Sequence, residues 1–300
     1  MKPTRHPLSD RVLKLIRERQ IARQKREREQ LQLVKDTDVH HQTILTKLEG
    51  LWEGNQFENL KKCGREKIYR TCKCCGQLEE FAYRCSLKFC PRCQWTIAKE
   101  REKKIRVWAA HVKQPKHMVL TQNNFSILTR KKLREHLKNL QRLRRTTLFK
   151  DVKGGCVSVE ITNETRGWHL HSHWLLDVRF IDVRELARTW GEIVGQEFGI
   201  VYIKDVREKE FVQELLKYLV KGSELANWPA EQILEFVSAI RGTRFFFSFG
   251  SLFKQGAEIR EQLKFMKAPK PKCECGASDF VYETELQAVL NEIRKAKRKG

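Results

Sequence analysis

The segment Trp168-His-Leu-His-Ser-His-Trp-Leu-Leu176 restricts the fold more than any other part of the chain. Its side chains alternate with a period of two, which suits a β-strand and no helix. His169, His171 and His173 then share one face, and Trp168, Leu170, Trp174 and Leu176 take the other, where they can pack on helices. Three imidazoles with no apolar residue among them are poor core filler, so that face is read as a site. The preceding stretch repeats the pattern, with Val157, Val159 and Ile161 alternating with Ser158, Glu160 and Thr162. Residues 163–167 read as a turn, so strands over 155–162 and 168–177 form a hairpin. A register that sets Glu160 opposite His171 puts a carboxylate beside the imidazoles. Two His and one carboxylate leave open positions on a divalent ion.

Cysteine usage supplies the second constraint. Seven of the ten (Cys63, Cys72, Cys74, Cys75, Cys85, Cys90 and Cys93) fall within 31 residues of a 300-residue chain. A secreted disulfide scaffold would be short and Cys-dense throughout. The charged start of the chain has no apolar run of the kind a secretory signal needs, so the cluster reads as thiolate metal ligation in a reducing cytosol. Cys72/Cys75 and Cys90/Cys93 are C-x2-C pairs with 14 residues between them, and two such pairs can close a tetrahedral zinc site. The zinc ligands are thus four of Cys72, Cys75, Cys85, Cys90 and Cys93, with Cys74 as a substitute member and Cys63 free to join a second ion. A closed four-thiolate site positions or binds and does not catalyse.

The remaining pattern predicts an α+β fold, an antiparallel or mixed sheet with helices on one face. Residues 1–36 read as a helix or as a disordered tail that folds on a partner; helices are expected over 40–60, 95–111, 126–148, 182–194 and 208–221, with further strands over 78–83, 117–121 and 198–206. Four regions follow: a basic helical N-terminal region (1–60), a Cys-rich zinc module with a basic helix (61–112), a core domain (113–225) and a helical, basic extension (226–300). No stretch approaches the length of apolar sequence that a membrane span needs. The formal net charge of +23 implies a polyanionic partner, most simply nucleic acid. It concentrates in residues 1–35, with 11 Lys/Arg against 4 acids, and in 97–151, with 16 against 4.

On the helix expected over 208–221, Glu214, Tyr218 and Lys221 lie three and four apart, on neighbouring parts of one face. A Tyr hydroxyl there can attack a phosphodiester, Lys221 can balance charge, and Glu214 can act as a general base in a later step.

Met118-Val-Leu-Thr-Gln-Asn-Asn124, His169-Leu-His-Ser-His-Trp-Leu-Leu176 and Lys217-Tyr-Leu-Val-Lys221, in that order, resemble the motifs of the HUH superfamily of single-strand nucleases. The similarity is greatest to the single-tyrosine rolling-circle replication initiators of small bacterial plasmids. Cys85-Ser-Leu-Lys-Phe-Cys90-Pro-Arg-Cys93 is similar to the cysteine motif ahead of the nuclease core in that group. The resemblance spans roughly residues 85–222.

It implies a ferredoxin- or RRM-like core and a protein of the bacterial cytosol, encoded on a plasmid. It also implies metal-dependent nicking and rejoining of single-stranded or hairpin origin DNA. Tyr218 would form a 5′-phosphotyrosine, a divalent ion (Mg2+ or Mn2+) would assist, and a host helicase and polymerase would act as partners. Motif alignment puts His171 and His173 in the metal-ligand places, with Glu160 and His169 as further candidates. Leu170 stands where the family has Pro, and Ser172 where it has a bulky apolar residue. His169–Leu170–His171 fits the His-hydrophobic-His rule better, so either pair is open. Three other readings share part of the pattern. They are a single-strand transposase of the same superfamily, a histidine-triad nucleotide hydrolase or transferase, and a non-enzymatic zinc DNA-binding regulator. The second has no need of the charge, the cysteine module or the Tyr helix, and the third leaves the one-faced histidine cluster idle.

Overall fold

The computed structural model describes residues 32, 34–164, 166–206, 222–253, 261 and 273–284. The sequence pattern predicts one helix over 40–60; the chain instead forms α1 (34–48) and α2 (Asn55–Lys62). The break falls at Gly50 and Gly54, which adopt φ of +73° and +99° that L-residues avoid. A hairpin of β1 (Lys67–Cys72) and β2 (Leu78–Ala82) follows, then the long helix α3 (Pro91–Ala109). Helix α3 starts four residues ahead of the position expected from its basic stretch. Pro91 suits its first turn, and Cys93 is carried inside it.

The main sheet is built from β3 (Pro115–Thr121), β4 (Gly154–Glu164), β5 (Gly167–Asp177), β6 (Ile200–Asp205) and β7 (Phe246–Gly250). Its order is β6-β3-β5-β4-β7, and every neighbouring pair is antiparallel. Three helices fill in the core: α4 (Arg130–Arg144), α5 (Val183–Val194) and α6 (Ala230–Ile240). Thr129 caps α4 by accepting from the Lys132 N–H at 3.2 Å, and α5 stops at Gly195 in the left-handed conformation. A three-stranded sheet, β2-β1-β8, is completed by β8 (Phe280–Thr284).

Leu133, Leu140 and Leu143 of α4, Leu186 and Trp190 of α5, and Ile233 and Val237 of α6 pack on Trp168, Leu170, Trp174 and Leu176. This is the apolar face that the alternation assigns. Helix α3 lies on the opposite face, where Ile105 and Trp108 meet Cys156 and Leu175. It covers the Leu175 end of β5 and leaves the His169 end half-exposed.

His136 of α4 is 1% exposed, between Gln122 Oε1 (3.1 Å from Nδ1) and the edge of Trp190. Burial, helped by the nearby His171, pushes its pKa down from 6.5 to about 3. As pH falls below about 6.5 the unfolded chain therefore takes up a proton that the folded chain refuses. That removes about 1.4 kcal/mol of stability per pH unit. Urea midpoints followed from about pH 6.5 to about pH 5 should fall less steeply in His136→Gln by that amount; equal slopes would exclude His136 as the titrating group.

Candidate functional site

The hairpin of β4 and β5 has the register that the alternation requires, with Glu160 opposite His171, Ser158 opposite His173 and Thr162 opposite His169. Gly167 makes the turn at φ +92°, and a Cβ there would lie 2.7 Å from the Phe125 carbonyl oxygen. A side chain at 167 would therefore disrupt the mutual hydrogen bonds between Phe125 and Trp168 that close the end of the sheet.

The three imidazoles differ in environment. His173 and Glu160 are buried (4% and 6% exposed), and His173 Nε2 lies 2.8 Å from Glu160 Oε2 in a hydrogen bond from imidazole to carboxylate. His169 and His171 are half-buried, with ring centroids 3.9 Å apart, whereas those of His171 and His173 are 6.3 Å apart. Thr121 Oγ1 lies 3.0 Å from His171 Nδ1, which fixes that ring and turns Nε2 away from β3. The Thr121 carbonyl in turn accepts from Trp190 Nε1 at 2.8 Å, so α5 anchors the strand end. The Leu-Thr ending of β3 thus acts as a support for the histidine strand.

One neighbour was not singled out by sequence. His117 of β3 is 2% exposed and stacks on His173 with centroids 5.7 Å apart and planes 8° from parallel. The available signal was its period-two spacing from Thr121, which puts both on the imidazole face. Glu160 also borders a cleft lined by Lys88, Arg101 and Glu224, which brings cations from the Cys-rich region to the edge of the site. Glu214, Tyr218 and Lys221 lie outside the described residues.

The cysteines separate into two groups, and this corrects the expectation of one ion between the two C-x2-C pairs. Cys63, Cys85, Cys90 and Cys93 form one cluster; Cys72, Cys75, Cys273 and Cys275 form the other. The hairpin explains the split. Cys63 and Cys85 flank its base, where Gly64 N–H donates to the Tyr83 carbonyl, while Cys72 and Cys75 stand at its tip. Five register pairs, four steps of ~3.4 Å, put at least about 14 Å of ladder between the two ends. In the first cluster Cys63 Sγ lies 3.5 Å from Cys93 Sγ and 3.7 Å from Cys90 Sγ, and Cys85 Sγ lies 3.7 Å from Cys93 Sγ. Four sulfurs at ~2.3 Å from a zinc ion would be about 3.8 Å from one another, so either cluster could hold such a metal. Crowding also spreads the proton affinities of the first cluster. Hydrogen bonds from Cys85, Cys90 and Cys93 hold Cys63 far below the usual thiol range, and Cys63 and Cys85 push Cys90 far above it.

Among the described residues no helix is long and apolar enough to cross a membrane. Comparison with curated proteins and with solved structures gives no match. A protein-family model described as "Replication protein" matches residues 78–272, well over half of the chain. That stretch holds the supporting strand, the histidine hairpin and Tyr218, and the chain belongs to this family of plasmid replication proteins.

Proposed function

We propose that the chain starts plasmid replication by nicking single-stranded origin DNA and joining itself through Tyr218 to the 5′-phosphate end, leaving a free 3′-OH on the other strand end. The observation that carries this reading is the pair of half-exposed imidazoles, His169 and His171, backed by the buried His173–Glu160 pair on one face of a replication-protein sheet.

This reading puts a divalent ion at the exposed end of the histidine strand. His169 and His171 would hold it, with Thr121 fixing the second ring and Glu160 orienting His173 behind them. The imidazole share of this donor set suits a first-row ion such as Mn2+ better than Mg2+, which demands oxygen ligands. Such an ion supplies Lewis acidity toward a non-bridging phosphate oxygen. The remaining steps belong to the chain. Tyr218 Oη attacks the phosphorus, an Oη–P bond forms as the P–O3′ bond breaks, and O3′ leaves as a hydroxyl after gaining a proton. The phenolic proton passes to solvent, and Lys221 balances charge on the phosphate. Glu214 takes the proton from the hydroxyl or water that later resolves the phosphotyrosine. Arg130, Lys131, Arg134, Lys138 and Arg142 form an exposed basic face on α4 that suits a phosphate backbone.

The test is incubation with labelled single-stranded oligonucleotides tiled across the plasmid's origin. One of them should give a slow band that resists denaturant in the presence of Mn2+, and the band should be lost when a chelator is added first. A band that forms equally well in excess chelator would remove the metal from the reading.

A further inference from the structure

Four thiols have no part in the histidine site. Cys72 and Cys75 stand at the tip of the β1–β2 hairpin, and Cys273 and Cys275 precede β8, with one sulfur from each lying within 4.8 Å of all the others. Cys72 Sγ is 3.7 Å from Cys275 Sγ, and Cys75 Sγ is 3.3 Å from Cys273 Sγ. These separations are far from the ~2.05 Å of a disulfide and near the ~3.8 Å edge of a zinc tetrathiolate.

The two halves are built alike. Gly76 N–H donates to the Cys72 carbonyl at 2.9 Å, and Gly276 N–H donates to the Cys273 carbonyl at 2.8 Å. Both glycines are left-handed, at φ +74° and +85°, which folds each turn back on itself so that its sulfurs converge. Lys73 N–H donates to the Asp279 carbonyl at 3.0 Å and joins one turn to the other. Below them β8 pairs with β1 from Cys72↔Phe280 to Ile68↔Thr284. The Arg70 guanidinium lies between the rings of Phe81 (4.5 Å) and Phe280 (4.3 Å), one from each outer strand. The chain therefore brings together residues 198 positions apart in a preformed arrangement of soft donors.

All four cysteines lie outside the family match over 78–272, two just before its start and two just after its end. We propose that Cys72, Cys75, Cys273 and Cys275 bind a zinc ion of their own, separate from the Cys63 cluster, and that this ion clasps the two ends of the replication segment together. Cys75 and Cys275 are exposed, whereas three of the four thiols in the Cys63 cluster are buried. The clasp ion is therefore the one that leaves first when a competing chelator is added. Binding displaces the thiol protons to solvent and involves no change of oxidation state.

The full-length chain, purified without added metal chelator, should contain two zinc ions, and Cys275→Ser should contain one. Titration of wild type with a colorimetric zinc chelator should release the ions in two phases, with the fast phase missing in Cys275→Ser. Loss of the fast-phase ion should raise amide exchange in β8 at least tenfold while leaving β5 protected. One zinc ion in both proteins would overturn the proposal, as would recovery of these four thiols as two disulfides. Unchanged β8 exchange after the fast phase would overturn the clasp. If Cys275→Ser does not fold, the wild-type titration decides alone: two zinc equivalents in two phases support the site, and a single equivalent refutes it. None of these readouts depends on DNA cleavage, so the proposal and the nicking mechanism can fail separately.

Discussion

Replacing Tyr218 by Phe is expected to abolish the denaturant-resistant protein–DNA band, with a fall in its rate of formation of about 10^3-fold or more. The substitution removes only the oxygen that would form the bond to phosphorus. On the proposed reading DNA affinity comes from phosphate contacts elsewhere, so it should change by no more than about twofold to threefold. Tyr202 is the informative control. It is one of five tyrosines, is 54% exposed, and sits on β6 opposite Val119, which is itself opposite His173, so it shares the imidazole face two strands away. Tyr202→Phe should leave the band unchanged. Loss of the band in Tyr202→Phe together with its survival in Tyr218→Phe would move the nucleophile to β6.

The largest effect on stability is expected at Trp174. Its side chain is fully buried at the centre of β5, against Phe149 (centroids 5.7 Å) and Phe249 (6.1 Å). Its Nε1 donates to Ser172 Oγ at 3.0 Å, and Ser172 Oγ lies 3.4 Å from the Leu120 carbonyl. Trp174→Ala leaves a cavity no neighbour can fill without moving a strand, at a cost of about 3–5 kcal/mol. Against a total of roughly 5–15 kcal/mol this is enough to unfold a marginal domain. Urea denaturation should show the shift in midpoint, with Trp174→Phe losing roughly half as much because most of the packing survives. A change below about 1 kcal/mol for the alanine variant would mean that the sheet centre repacks, contrary to a tightly filled core. The same contact explains a polar Ser172 on the apolar face of β5. It gives the buried indole N–H an acceptor that an apolar side chain could not supply.

The histidine hairpin was legible from sequence because two alternating segments and a short turn leave one register that buries every apolar residue. Helix α5 was legible for a similar reason: Asp182 caps its start and Gly195 ends it. The cysteine partition was not legible, because nearest-neighbour spacing favours joining Cys72/Cys75 with Cys90/Cys93. A stiff hairpin overrides that spacing by carrying the first pair away from the second. Strands β7 and β8 also escaped notice. Each is five residues long, and β7 reads Phe-Phe-Ser-Phe-Gly without a clean alternation. Their pairing is decided by the strands they join, β4 and β1, which lie far away in sequence.

The interleaving of the two thiol clusters also sets an order of events during synthesis. The first set is complete once Cys93 has emerged, but Cys72 and Cys75 must wait for partners 198 or more positions later. At translation rates of about 5–20 residues per second, that delay is roughly 10–40 s. Throughout it, the hairpin tip displays unsatisfied thiols to solvent, so a ribosome that stalls within the replication segment leaves a product with that tip still open.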